Sequence, residues 1–338
     1  MDYLIKSDGE VLGFSLKNQY IDFLCKKTLY KFDKESETVI YKKEIFEKEG
    51  MTKIMIADEN RIYISNFCTL YVLDENNYEF IVKLKIGENL SSDICGMVMD
   101  KNRVYCSVRN GKIVTVEKSS FEKKEYHLSE SSMWSLKIYG NKLLCGTVDG
   151  QLLLLEREKM SIKKKLILSK QNIRSLYLSD KTLYAACQNK KLFKIDLEEF
   201  EVTGLQKNAH NKMFDCVGIY EDMLLTVSYP CGEIALWDIN TLEKRKEFKT
   251  ALSLSGSAYI EENKLYITSR NIYGIGIIYL RQHRAMTASR LCVRFACIFY
   301  VILHKPSLEY AGIPVSDLYK LTKNLAAQST HNHCAVLP

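Results

Sequence analysis

The sequence predicts an all-β fold, a β-propeller, because one sequence motif recurs along the chain at a nearly constant interval. A unit has a polar turn, an apolar strand, a second tight turn, and another apolar strand, which ends in an acidic residue in the first six units. The closing acidic residues are Asp33, Asp74, Glu117, Glu156, Asp196 and Asp238, at steps of 41, 43, 39, 40 and 42 residues. A period of about forty residues with several short strands per unit is typical of propeller blades.

The first two strands of each unit are predicted from a polar turn that separates two apolar runs. Asn60-Arg61 and Asn141-Lys142 are two of these turns, and Asn or Asp suits them because both residues tolerate left-handed backbone. In the strand before one such turn, Leu136 and Ile138 alternate with Lys137. That period of two indicates a half-buried strand, so each turn joins two strands as a hairpin.

The third strand of each unit is predicted from a second turn, and the fourth strand from segments rich in charged residues. Asn110-Gly111 and Asp149-Gly150 are pairs that two-residue hairpin turns favour, and an apolar third strand follows each pair. The segments 118–128 and 159–168 are rich in Lys and Glu, which suits an outermost strand that must not pair with other chains. A nucleic-acid patch is the other interpretation of these lysines, and the interleaved Glu residues disfavour it.

The number of units and the closure of the ring follow from the two ends of the repeat. The first unit aligns with the second at an offset of 41, since residues 28–33 match residues 69–74. The seventh runs over residues 255–279, without the acidic ending and without a fourth strand of its own. We therefore predict that residues 2–6 supply this strand and close a seven-bladed ring over residues 1–280, which leaves no open edge strand.

The repeat stops near Leu280, and residues 281–338 are predicted to form a non-propeller tail on which folding of the ring does not depend. Residues 291–304 are an apolar run of 14 residues, shorter than the roughly 20 that a membrane span needs. We interpret the run as a buried strand or helix, with an interfacial helix or a wrong reading frame as alternatives. A helix is expected near residues 315–327. The ligand-type residues at 331–334 lack a second pair, so no metal site is predicted.

Composition places the protein inside the cell and says little about its partners. The net charge is +7, of which the tail carries +5, so the ring is nearly neutral at +2. The N-terminus lacks the basic start and long apolar run of a signal peptide. The eleven cysteines are scattered, which is typical of free thiols in a reducing compartment. We expect a cytoplasmic or nuclear protein without a membrane span.

The unit from Ala209 to Asp238 resembles the WD-repeat family. Ala209-His210 stands where the family has Gly-His, and Trp237-Asp238 is the family's terminal dipeptide. The segment 145–152 is also similar to the family's Ser-Gly-Ser-x-Asp-Gly-Thr-Ile, and the resemblance in period covers roughly residues 11–280. In the family, a His, a Ser or Thr, an Asp and the Trp form a structural hydrogen-bond chain. The resemblance implies that His210, Ser228 and Trp237 belong to it, with Cys231 in place of the Asp.

The motifs of catalysis are missing from the sequence. It contains no Gly-rich phosphate loop, nucleophile elbow or paired carboxylate motif. His127 and His210 are the histidines of the ring segment, and a single His in a repeat position favours a structural role. We therefore predict a protein that is not an enzyme and needs no cofactor or metal. A propeller of another lineage, including quinone-dependent enzymes with a cofactor in the central channel, is the alternative.

The function predicted from the sequence is a scaffold or adaptor, a monomeric ring that holds other proteins within a complex. Aromatic and Arg side chains are strong interface anchors. The candidate partner-binding residues are Arg109, Trp134, Arg174, Phe214 and Tyr229, in turns or near the channel end of first strands. Trp134 and Phe214 have the alternative role of core residues between blades. A second functional hypothesis is a component of an RNA-protein or ribosome-assembly particle, in which the basic tail would contact the nucleic acid.

Overall fold

Seven four-stranded antiparallel sheets build the ring in the computed structural model. It describes residues 3–280 apart from 48–51, 89–91, 251, 253, 270 and 272. The predictions for Asp2 and for the tail 281–338, including its apolar run, its helix and its terminal His and Cys residues, lie outside the described residues. Within them, the predicted all-β, seven-bladed fold is confirmed.

The strands follow one another blade by blade. The chain starts with β1 (Tyr3–Lys6). Blade 1 contains β2 (Val11–Leu16), β3 (Tyr20–Cys25), β4 (Thr28–Asp33) and β5 (Thr38–Glu44), and blade 2 contains β6 (Thr52–Ala57), β7 (Arg61–Asn66), β8 (Thr69–Asp74) and β9 (Phe80–Lys85). Blade 3 contains β10 (Ile94–Met99), β11 (Arg103–Val108), β12 (Lys112–Glu117) and β13 (Lys123–His127).

The remaining blades have the same order. Blade 4 contains β14 (Met133–Tyr139), β15 (Lys142–Thr147), β16 (Gln151–Glu156) and β17 (Ser161–Ile167), and blade 5 contains β18 (Ile173–Ser179), β19 (Thr182–Cys187), β20 (Leu192–Asp196) and β21 (Glu201–Gln206). Blade 6 contains β22 (Met213–Tyr220), β23 (Met223–Tyr229), β24 (Glu233–Asp238) and β25 (Lys244–Lys249). Blade 7 contains β26 (Leu254–Glu261), β27 (Lys264–Ser269), β28 (Gly274–Tyr279) and β1.

The ring closes on the N-terminal strand, as predicted. The innermost strands β2, β6, β10, β14, β18, β22 and β26 contact one another in this order, and β26 contacts β2 again. β1 pairs antiparallel with β28, with Ile5 opposite Ile275 and Lys6 opposite Gly274. Gly274 has a φ of 147°, and a Cβ there would lie 2.1 Å from the carbonyl oxygen of Ile5. Only a glycine therefore lets the two strands approach at this point.

Four of the six recurring acidic residues, the aspartates, have a local structural role at the ends of their third strands. Oδ1 of Asp33 accepts hydrogen bonds from the backbone N–H groups of Glu35 and Ser36, at 3.0 and 2.7 Å. The carboxylates of Asp74, Asp196 and Asp238 accept from the backbone two and three residues further on in the same way. This Asx-type turn starts the connection to the fourth strand, which explains why Asp recurs at four of the six positions. At the other two, Glu117 and Glu156 form ion pairs with Arg103 and Lys163.

The apolar core lies between neighbouring blades. One cluster joins blades 4 and 5 through residues such as Leu154 and Leu176, and another joins blades 7 and 1 through Ile275 and Phe23. The outermost strands are mostly exposed, as predicted for strands that end each sheet. The ring is therefore stabilised mainly by packing of one blade face on the next.

Ion pairs cross four blade interfaces on one face of the ring, from blade 7 through blades 1, 2 and 3 to blade 4. Each pair connects the residue that follows a third-strand acidic position with a residue at or just after the end of the first strand of the preceding blade. The pairs are Lys34–Glu261 at 2.6 Å, Lys118–Asp58 at 3.0 Å, Arg157–Asp100 at 3.3 Å, and Glu75–Lys17 with the signs reversed. In blades 5 and 6 the corresponding positions hold Leu197 and Ile239, so those interfaces are apolar at this point.

Candidate partner-binding site at the mouth of the central channel

A β-bulge near the start of the innermost strand recurs in blades 1 to 5. The extra residues are Leu12, Lys53, Cys95, Trp134 and Arg174, each at a register shift against the second strand. A bulge re-aims a side chain and bends its strand. Because the innermost strands surround the channel, the bulges form a tier at its mouth. Trp134 and Arg174, two predicted partner-binding residues, are neighbours in this tier.

Arg174 is held in place by an ion pair with the next blade. Its Nε lies 3.4 Å from Oδ1 of Asp215, and one guanidinium nitrogen lies 3.9 Å from the sulfur of Met213. The hydroxyls of Tyr229 and Ser175 also interact with the Asp215 carboxylate. Burial raises the pKa of the Asp215 carboxyl, and the ion pair with Arg174 opposes that shift. The network fixes Arg174 between blades 5 and 6.

Aromatic side chains continue the channel wall beyond this network. Trp134 is half-buried. Tyr259 of blade 7 is 39% exposed although it lies on an innermost strand, so its free surface faces the channel. Its ring packs edge-to-face on Phe14 of blade 1, with 4.8 Å between ring centroids. The mouth and wall of the channel thus combine accessible aromatic surface with a fixed guanidinium.

The structure places the five predicted contact residues in different environments. Arg109 lies in the turn between β11 and β12, where its side chain is 43% exposed and one guanidinium nitrogen lies 3.4 Å from the Asp93 carboxylate. Trp134 and Arg174 lie at the channel mouth, and Tyr229 reaches the same site through Asp215. Tyr229 itself is buried, so it supports the network from behind and offers no accessible ring.

The prediction for Phe214 is wrong. Its side chain is 0% exposed and packs on His210, with 4.9 Å between the ring centroids. The reason is the position of the bulge in β22, which falls between Cys216 and Gly218, later than in blades 1 to 5. Phe214 therefore stays on the core side of its strand, and Asp215 takes the channel side. Phe214 is a core residue, which was its alternative interpretation.

Sequence reasoning missed three residues of the channel: Asp215, Lys137 and Tyr259. Asp215 had a usable signal, because it is an acidic residue between Phe214 and Cys216 in an otherwise apolar strand. Lys137 was explained as the solvent side of a half-buried strand. Neighbouring blades flank both sides of an innermost strand, so the accessible part of a half-buried side chain there faces the channel and not bulk water.

Blade 6 contains a buried hydrogen-bond chain that corrects one sequence expectation. Nε1 of Trp237 donates to Oγ1 of Thr226 at 2.7 Å, and that oxygen lies 2.7 Å from Nε2 of His210. Nδ1 of His210 lies 3.5 Å from the Glu233 carboxylate. Thr226 therefore has the role expected of Ser228, whose hydroxyl instead donates to the backbone of Met213. Glu233 occupies the place of the acidic member, which Cys231 does not supply.

The buried His210 makes the stability of the protein depend on pH. Burial lowers the pKa of His210 to about 4, so its imidazole is neutral at physiological pH. In the unfolded chain a histidine takes up a proton near pH 6.5. Between these values the unfolded state binds more protons, so stability is complete above pH 6.5 and falls as the pH drops toward 4.

We expect this effect to remove roughly 2–4 kcal/mol of unfolding free energy between pH 6.5 and pH 4. Urea melts at stepped pH values measure it. His210→Gln should flatten the slope in this window even though the variant is less stable throughout. His127→Gln, on an exposed outer strand, is the matched control and should keep the parent's slope. An unchanged slope in His210→Gln would refute the assignment.

Among the described residues, no group of three or more His, Cys, Asp or Glu side chains is arranged to hold a metal ion. In the same ranges, no helix is long and apolar enough to cross a membrane. The eight cysteines that the structure describes are free thiols, and six of them are buried.

Comparison with known proteins supports the fold and gives no family. No family model matches the sequence, and no curated protein matches it. Among solved structures, the chain is similar to the computationally designed Ika8 protein, with a TM-score of 0.64 over 82% of this chain and 98% of that chain. The two sequences are 12% identical, so this likeness shows the architecture alone.

Proposed function

We propose that this protein is a non-catalytic adaptor that holds a protein partner at the mouth of its central channel. The observation that carries the proposal is the placement of Trp134 and Arg174 on bulges of adjacent innermost strands. Trp and Arg are the residue types that most often dominate the energy of an interface. Here they are adjacent, accessible and supported by the closed ring.

Preorganisation of the site favours a binding role. The Asp215 carboxylate fixes Arg174, and Tyr229 and Ser175 fix the carboxylate. A partner that contacts this guanidinium does not have to order it first, which lowers the entropic cost of association. The aromatic surface of Trp134 and Tyr259 adds apolar area within reach of the same partner.

We also propose that the ring is a divergent member of the WD-repeat lineage that acts in the cytoplasm or nucleus as a monomer within a complex. The Trp237–Thr226–His210 chain supports the lineage, because the resemblance implied such a chain in this blade. The free thiols support a reducing compartment. The ribonucleoprotein hypothesis depends on the basic tail, which lies outside the described residues, and salt-dependent RNA binding with and without that tail would test it.

The experiment is affinity purification from the native cell with the wild-type protein, Trp134→Ala and Arg174→Ala. We expect one set of co-purifying proteins to be lost from both variants. Lys101→Ala is the matched control, because Lys101 is an exposed cation in a turn after a first strand, at the opposite end of the ring from the bulges. Retention of every partner by both variants, or equal loss with the control, would refute the proposed site.

A further inference from the structure

Lys137 occupies an unusual position in the middle of the channel wall. The strand registers place one residue of each innermost strand opposite the third residue of the second strand. These equivalent residues are Ser15, Ile56, Val98, Lys137, Tyr177, Gly218 and Tyr259. Lys137 is the one charged residue among these seven equivalent positions, and none of the seven is acidic.

The equivalent residues show what this position normally does. Ile56, Val98 and Tyr177 pack against the apolar cluster of the following blade. Lys137 is likewise half-buried, and burial lowers the pKa of its ammonium. No carboxylate of the described residues pairs with it. The contrast with Arg174 is sharp, because that cation has the Asp215 carboxylate beside it.

The Lys137 side chain borders the channel. It lies on the innermost strand of blade 4 and is only half-buried. Because β14 is flanked by the innermost strands β10 and β18 of the neighbouring blades, the accessible part of Lys137 faces the channel, at the level of Tyr177 and Tyr259. A ligand that enters the channel can therefore contact it.

We propose that the channel binds an oxyanion, a carboxylate or phosphate group, at the ammonium of Lys137. An ammonium drawn partly out of water without a counter-charge destabilises the folded state. A Met at this position would fill the same space at no such cost, so a ligand that completes the ion pair explains the lysine. The three N–H donors of an ammonium suit a carboxylate or phosphate. This inference rests on the channel alone and does not require the adaptor role.

Lys137→Met and Lys137→Gln test the inference, with Lys165→Met as the control. Lys165 is an exposed lysine on the outermost strand of the same blade. Melting temperatures are measured against inorganic phosphate at constant ionic strength, with chloride as reference. Phosphate stabilises folded proteins in general, so the signal is the difference between wild type and variant. We expect a saturable response with a Kd on the order of 1 mM or tighter, absent in both Lys137 variants and retained in Lys165→Met.

The free protein supplies an independent readout. Without phosphate, Lys137→Met should melt higher than wild type by about 2–4 °C, because the unpaired charge is gone. Lys165→Met should melt like wild type, since the Lys165 side chain is exposed. A Lys137→Met protein that is less stable than wild type would show that the ammonium already has a favourable environment, and it would overturn the inference.

Repeating the titration with acetate and the native-cell purification with Lys137→Met distinguishes the sources of the anion. Phosphate or acetate binding that needs Lys137 supports a small free anion. A partner lost from Lys137→Met, without small-anion binding, supports an oxyanion carried on that partner. If neither result depends on Lys137, the inference is wrong. The adaptor role would still stand if Trp134→Ala loses the partner, so the two failures are distinguishable.

Discussion

Trp237→Ala should lower the free energy of unfolding by about 3–5 kcal/mol. The side chain is 0% exposed and is the largest of the fully buried residues. Truncation leaves a cavity between blades 5 and 6, next to Tyr184 and Phe214, and the rigid blade sheets can close it only partly. It also removes the N–H that donates to Thr226, so the buried hydroxyl loses one of its partners.

Urea melts of Trp237→Ala and Trp237→Phe measure the two contributions separately. Trp237→Phe keeps most of the packing and loses the hydrogen bond, so it should cost clearly less than the Ala variant. Partner binding at the channel mouth should persist wherever the variants stay folded, because Trp237 lies on a third strand inside the blade. A Trp237→Ala protein that melts like the parent and yet loses a partner would mean that Trp237 is a binding residue.

Removal of residues 1–6 should abolish the single cooperative melt of the ring. The deletion takes away the buried Ile5 and the strand that pairs with β28 from Tyr3 to Lys6. β28 then becomes an exposed edge of apolar sequence, which is a template for pairing with other chains. We expect a broadened transition at lower temperature and larger species in size-exclusion chromatography.

Point variants in β1 separate the contribution of side-chain packing from the effect of deleting the whole strand. Ile5→Ala should cost about 2–5 kcal/mol, the range for a buried aliphatic side chain. Lys6→Ala is the matched control, because its side chain is exposed on the same strand, and it should melt like the parent. A deletion variant that still melts cooperatively near the parent's temperature would show that blade 7 is stable with three strands, contrary to the closure described above.

The repeat was predictable because its signals are local. Asp33, Asp74, Asp196 and Asp238 recur because each caps its own turn. Asp-Gly and Asn-Gly pairs likewise favour the hairpins in which they lie. The missing fourth strand of the last unit was enough to predict that the N-terminal strand closes the ring. The turns depend only on neighbouring residues, and the closure, although it pairs residues 3–6 with residues 274–277, follows from counting strands in the repeat.

The candidate site was predictable only in part, because bulge positions are not encoded in a local pattern. The bulge in β22 comes later than in the other innermost strands, which turns Phe214 to the core and Asp215 to the channel. In the same blade, Thr226 and not Ser228 accepts the hydrogen bond from Trp237. In the register of β23 and β24, Thr226 lies closer to Trp237 than Ser228 does. Both corrections concern register, and a period-two pattern alone leaves register undetermined.

The most direct test of the adaptor role is the Kd of the first co-purifying partner for the wild-type ring and for Trp134→Ala. Both proteins are first shown by thermal melting to be equally folded, and binding is then measured by calorimetry. The account predicts that Kd rises by about 30-fold or more, the loss typical of an interface hot spot of about 2 kcal/mol. An unchanged Kd with Trp134→Ala would contradict the assignment of the channel mouth as the binding site.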